Sequence, residues 1–304
     1  MITAVVLAGY AILVGAAAPY ALSRARWAHR APIVGVLAWL GLMVTFVVST
    51  ALALYHLVLT EEHVHDGIVG LLSVCGLATG DPAGGSTPTL GDAAGLLAPA
   101  AIVLLPVGWL VRTAWRTRRA RRRHLDLLTL VGTPAPEYGA TVVEHGVPAV
   151  YCLPGRSCRI VVTRGALDVL SDEQLRAVLE HERSHIAGRH DVLHVVTEAF
   201  ARAFPGLPLA RQAKEQITLL LEMVADDRAL RFHPREVLAT AMCEVADARA
   251  PQAAMGAGGP GSLIRLHRVL TPHDRPHRAT WLGVVTASVA APLLPLLVAC
   301  GPTV

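Results

Sequence analysis

Apolar residues fall along the chain in four long blocks separated by polar stretches. Residues 2–22, 32–59, 94–110 and 280–300 are almost wholly apolar, and each approaches the roughly 20 residues a helix needs to cross a bilayer. All four are predicted to be spanning helices, the third being the shortest. The first lacks a basic leader and a small-residue cleavage site, so it is expected to remain as an anchor. Between the third and fourth blocks the pattern changes period. Residues 141–143, 149–153 and 159–163 are short β-branched runs separated by His145-Gly146 and Pro154-Gly155, which predicts a small antiparallel sheet. Helical spacing follows. Ser171 with Gln174 three residues on is a capping box, and Leu175, Val178 and Leu179 then recur on one face, so a helix is predicted from Ser171 to Gly188. A second helix is predicted over 214–230, with Pro234 shortly beyond its end.

Composition supports the lipid reading. Of 304 residues, 53% are hydrophobic and only 16% charged, far from an ordinary soluble domain. Five cysteines, Cys75, Cys152, Cys158, Cys243 and Cys300, match no zinc-finger or redox spacing and are read as structural. The net charge of +4 comes from arginines beside apolar blocks rather than interleaved with aromatics. A bilayer surface is therefore the expected partner, and direct nucleic-acid binding is not expected.

Charge also orients the chain. Arg24, Arg26 and Arg30 fill the first loop, and Arg112, Arg116, Arg118, Arg119, Arg121, Arg122 and Arg123 follow the third block, whereas residues 60–93 hold no Lys or Arg. Basic loops stay on the cytoplasmic side. The expected layout is a three-helix membrane region over 1–115 with an extracytoplasmic loop at 60–93, a cytoplasmic domain over 116–278, and a last span with a short tail over 279–304. The amino terminus is then outside and the middle domain inside.

The chemistry lies in that domain. His181 and His185 stand four apart on the predicted helix, so both imidazoles project from one face at a separation suited to two ligands of a tetrahedral zinc. Glu182 beside them can accept a proton from water made acidic by such a metal and deliver it to a leaving amine. This is an HExxH pattern. Arg183 departs from the uncharged residues usual there and is expected to point away. On the second helix Glu222 and Asp226 also stand four apart. Glu222 is the preferred third ligand, Asp226 can accept a hydrogen bond from the far nitrogen of a ligand histidine, and Ala225 and Ala229 let the helices approach. Asp191 is the competing third ligand, because residues 181–191 also read HExxHxxGxxD; no Met-turn accompanies it, and its expected role is to orient a neighbour. His190 and His194 would fall on the opposite side of a continued helix, as surface or supporting residues. His63 and His65 alone are a weak metal site.

The HExxH segment, the following Arg189-His190-Asp191, the Glu-x-x-Ala-Asp stretch at 222–226 and several spans together resemble the BlaR/MecR-type antirepressor membrane metallopeptidases. The run from Pro154-Gly155 through Ile160 to Leu167 is similar too, so the resemblance covers about 149–230. Similarity to the HtpX and CAAX-protease group is more distant. The resemblance implies an α-helical membrane protein with a cytoplasmic α+β zincin-like metallopeptidase domain, one Zn2+ per chain on His181, His185 and Glu222, and Glu182 as general base. The implied substrate is a cytoplasmic or membrane-proximal protein, with a transcriptional repressor as the analogous choice. Pairing of a substrate strand with the sheet edge near 159–163 is expected. The chain leaves no room for the extracellular penicillin-binding sensor of antibiotic-responsive members, so β-lactam sensing is not expected. A non-catalytic signalling scaffold keeping the fold is the alternative. A transporter is disfavoured, since only His56, near an end, is ionisable within the four blocks.

Overall fold

The computed structural model describes residues 1–58, 96–154, 158–249, 259–271 and 278–300. The expected outer loop, His63, His65 and the Pro154-Gly155 turn lie wholly or partly outside them. Among the described residues, four helices are long and apolar enough to cross a membrane: α1 (Ile2–Ser23), α3 (Pro32–Val58), α4 (Leu97–Val131) and a C-terminal span, Trp281–Ala299. The chain is a multi-pass membrane protein. A short helix, α2 (Arg26–Arg30), joins the first two spans.

The third span differs from expectation in length. It runs unbroken for 35 residues, through the arginines to Val131, so it projects about 52 Å at 1.5 Å per residue. No glycine or proline interrupts residues 109–131, so nothing stops the helix at the lipid boundary. The boundary of 115/116 drawn from the sequence lies within this helix.

Four strands follow: β1 (Gly132–Ala135), β2 (Ala140–Val143), β3 (Val150–Leu153) and β4 (Arg159–Thr163). Their order is β1-β2-β4-β3. The sheet is mixed rather than antiparallel, because β2 pairs with β4 in parallel while β1 with β2 and β3 with β4 are antiparallel. The segment at His145-Gly146 is not a hairpin turn: it carries the chain past β4 to the far edge. Gly165 N–H donates to His145 O, and a side chain at 165 would run into the Gly146 carbonyl. The Thr163 hydroxyl donates to Val147 O and accepts from Ala149 N–H. β4 is therefore interior, and the free edge on that side of the sheet belongs to β3. The edge expected near 159–163 is corrected accordingly. The β1 strand, Gly-Thr-Pro-Ala, gave no strand signal because proline removes a ladder donor and suits only an edge.

After α5 (Arg164–Val169) come α6 (Asp172–Ala187), α7 (His190–Ala203), α8 (Pro208–Ala229), α9 (Arg235–Arg249) and α10 (Gly259–Leu270). The helix expected over 214–230 begins six residues earlier, at Pro208, where a proline fits because the first turn has no use for its missing N–H. α7 and α8 form a hairpin that leans on the spans. One core joins Val36, Trp39 and Met43 of α3 to Phe200 of α7 and Leu209, Ile217 and Leu220 of α8. Phe46 meets Phe200 and Phe204 edge-on, with centroids 6.3 and 5.3 Å apart. Phe46 lies about 21 Å along α3, so the hairpin tip reaches beside the middle of a span. At that depth close packing, not water exclusion, holds helices together.

Candidate metal centre

The Ser171 hydroxyl accepts from Gln174 N–H while the Gln174 side chain accepts from Ser171 N–H, and this reciprocal cap starts α6 where the pattern placed it. Leu175 and Leu179 of α6 pack on the sheet with Ile160 and Val162. His181 and His185 face α8. Arg183 points away, half-exposed, toward Glu180 and the Tyr138 carbonyl. Ala225 and Ala229 are fully buried, and Arg228 of α8 pairs with Glu180 of α6 at 2.9 Å.

This packing brings three donors together. His181 Nε2 and His185 Nε2 are 3.2 Å apart, and each is 3.5 Å from a Glu222 carboxylate oxygen. Tetrahedral zinc with bonds near 2.0–2.1 Å separates its ligand atoms by about 3.4 Å. The donor set therefore fits Zn2+ in separation and chemistry. His181, His185 and Glu222 would hold the ion, and a tetrahedral position would remain for a reactant.

Both ligand histidines are oriented from behind. Asp226, buried, accepts from His181 Nδ1 at 3.0 Å, and the His185 Nδ1 lies 2.8 Å from His190 Nδ1. The expectation that His190 would face away is corrected. Helix α6 stops at Gly188, Arg189 adopts a left-handed conformation with φ 48°, and α7 restarts with His190 turned inward and buried. Any side chain at 188 would strike the His190 ring. Asp191 is outside the donor cluster and instead pairs with Arg121 of α4 at 2.8 Å.

Arg265 of α10 completes the site. Its guanidinium donates to Glu222 Oε2 at 2.7 Å and to both oxygens of Asp226 at 2.7 and 2.9 Å. Sequence reasoning missed it. The one available signal was a short apolar helix, 261–270, with arginines at 265 and 268 on one side.

The charges follow from this packing. Burial opposes protonation of His181, but its bonds to Asp226 and Glu222 outweigh that and raise its pKa to about 9. Burial lowers His185 to about 4, with the charge of the facing His181 acting in the same direction and the Glu222 carboxylate opposing both. Burial tends to raise Glu222 and Asp226; hydrogen bonds with His181 and Arg265 and their charges overcome it and hold each at about 2. Burial raises Glu182 above the usual carboxylate range, despite the His181 charge and hydrogen bonds from Cys152.

A pH signature follows by linkage. A raised histidine pKa stabilises the folded state below its unfolded value near 6.5 and stops doing so as pH rises to about 9. Chelator-treated protein is thus expected to melt at progressively lower temperature between about pH 6.5 and 9. Zinc-loaded protein should show no such decline in that window, because its imidazoles are already deprotonated. Thermal melts of the two forms in detergent check this.

The centre opens into a cleft of about 600 Å³. Thr113, Thr117 and Arg121 of α4 form one wall, Cys152 and Tyr151 of β3 another, and Glu182 faces into it. Residues 114–272, just over half the chain, match Peptidase family M48. The chain is similar to Protease HtpX of Legionella pneumophila, with 32% identity over 85 residues that cover 27% of this chain and 29% of that protein. It is also similar to a Protease HtpX homolog of Methanothermobacter thermautotrophicus, 40% identical over 75 residues, or 24% and 27%. The chain thus aligns with less than a third of either relative's length. No solved structure matches. With the matched region enclosing the His-His-Glu centre, this chain belongs to peptidase family M48.

Proposed function

We propose that the protein is an integral membrane zinc endopeptidase that hydrolyses peptide bonds of a cytoplasmic or membrane-proximal protein. The carrying observation is the tetrahedral spacing of the His181, His185 and Glu222 donors with Glu182 facing the same cleft. Zinc held by His181, His185 and Glu222 would act as a Lewis acid, able to polarise the scissile carbonyl and to acidify the attacking water. Glu182 takes the proton from that water on its carboxylate and passes it to the leaving amide nitrogen. Arg265 and Asp226 keep Glu222 and His181 in place throughout.

Substrate backbone is expected to pair with β3. Thr163 N–H bonds to Ala149 O, so by alternation the ladder bonds are made at Tyr151↔Val161 and Leu153↔Arg159. The backbone groups of Val150 and Cys152 then face the free edge beside Glu182. A cleaved peptide methylated at successive backbone nitrogens should lose rate with a period of two, by about tenfold or more at sensitive positions, roughly the worth of one or two hydrogen bonds. Uniform tolerance in kcat/KM measurements would remove the β-pairing.

Orientation rests on the arginine distribution, which favours residues 116–278 in the cytoplasm and the amino terminus outside. The finer reading, a BlaR/MecR-type antirepressor peptidase acting on a transcriptional repressor, is supported by the motif residues at 181–191 and 222–226. Comparing new protein amino termini in cells carrying wild type or Glu182→Gln tests substrate and activity together. Cuts in a repressor that require Glu182 favour the finer reading, and cuts confined to membrane proteins remove it. No Glu182-dependent cut at all would favour a non-catalytic scaffold.

A further inference from the structure

Helix α10 turns two arginines inward beside its buried apolar residues. Val269 and Leu266 join a small core with Ala177, Ala229 and Leu238, while Arg265 sits on Glu222 and Asp226, and Arg268 on both oxygens of Asp227 at 2.7 and 2.8 Å. Its outer side carries Leu263, Ile264 and Leu270, exposed by 70, 39 and 52%, with the exposed His267 among them. A lone exposed leucine means little. Here, however, the five bonds of the two guanidiniums with the three carboxylates prevent the helix from rolling its leucines inward. The apolar side is fixed outward by the same contacts that organise the metal centre.

The height of α10 identifies what meets that side. Arg268 Nε also donates to the His29 carbonyl at 2.7 Å, and His29 lies in α2, the short link between the first two spans. The last span begins at Trp281, eleven residues after Leu270. Gly261, at the start of α10, lies 3.6 Å from Leu219 when a Cβ is placed on it, and Leu219 belongs to the core shared with α3. Arg268 thus ties the carboxyl-terminal half of α10 to the link between the first two spans, and the amino-terminal end lies beside Leu219, the neighbour of Leu220, which abuts Gly35 in the first turn of α3. An exposed apolar helix edge at that level is suited to acyl chains just below the headgroups.

We propose that the outer edge of α10, Leu263, Ile264 and Leu270, lies in the bilayer surface, and that this lipid seat holds the Arg265 clamp on Glu222 and Asp226. The clamp half of the inference rests on the zinc reading of the centre; the lipid half does not, so the two can fail separately.

Full-length protein carrying a benzophenone amino acid at 263 or 270 is placed in nanodiscs of phosphatidylcholine and phosphatidylglycerol, irradiated and weighed intact. Phospholipid adducts are expected at both positions and none at Glu144, an exposed site at the end of β2. Adducts to a second copy or to another segment of this chain, or no adduct, would overturn the lipid seat. In the same nanodiscs, Leu263→Ser/Leu270→Ser protein should release zinc to a chelator roughly tenfold faster than wild type, the scale of losing support behind a ligand. Release at the wild-type rate would overturn the clamp role, with intact folding checked by the unchanged melting of the spans.

Discussion

Replacing Glu182 with glutamine is expected to slow peptide hydrolysis by roughly a thousandfold, within the range typical of a lost general base, while zinc content stays at the wild-type value. The two outcomes come from different atoms. Glutamine keeps the shape of the side chain and its contact with Cys152, but its amide cannot accept the proton of the attacking water. The metal donors are on His181, His185 and Glu222, which the substitution does not touch. Turnover of a fluorogenic peptide together with elemental zinc checks both halves. A rate within tenfold of wild type would place the proton acceptor elsewhere in the cleft.

Glu222→Ala is expected to weaken zinc binding by about a thousandfold. Structural zinc sites bind with roughly 10–16 kcal/mol; shared among three protein ligands, one ligand is worth about 4 kcal/mol, or three decades of affinity. The variant also leaves Arg265 with Asp226 as its remaining carboxylate partner in the centre, so its positive charge is less neutralised beside the ion. Asp226→Asn touches no donor and should cost less, about 10- to 100-fold, the usual effect of disturbing the partner behind a ligand histidine. Competition with a chromogenic chelator ranks the two variants. Equal losses would contradict the division between ligand and orienting residue.

The parts of this site that were legible in the sequence are those in which one helix sets the geometry. His181 and His185 share a face because they are four apart on a helix whose start, the Ser171 cap, is itself local chemistry. Glu222 and Asp226 were visible for the same reason, and the buried alanines between the two helices explain how they come within reach of the histidines. The contacts that escaped depend on where the chain returns in space. Arg265 reaches Asp226 across 39 positions, and nothing near either residue records that approach. His190 was misplaced because the left-handed Arg189 resets the helix phase, and a non-glycine residue carries little warning of positive φ. The mixed sheet was read as antiparallel because turn-forming residues at 145–146 also suit a crossover. The spans were plain from hydropathy, but the lean of α7 and α8 against them was not, since Arg202, Arg211 and Lys214 give that hairpin a soluble look. Arg202 resolves its charge by pairing with Glu198 and stacking on Trp109 at 5.8 Å.

The central claim is that His181, His185 and Glu222 hold one catalytic zinc. Elemental analysis of wild-type protein, purified in detergent without added metal or chelator, tests it most directly. About one zinc per chain is the predicted result, falling to a small fraction in Glu222→Ala protein purified alongside. Wild-type protein that is folded, by its cooperative melt, yet carries no zinc and takes up none on titration would contradict the account.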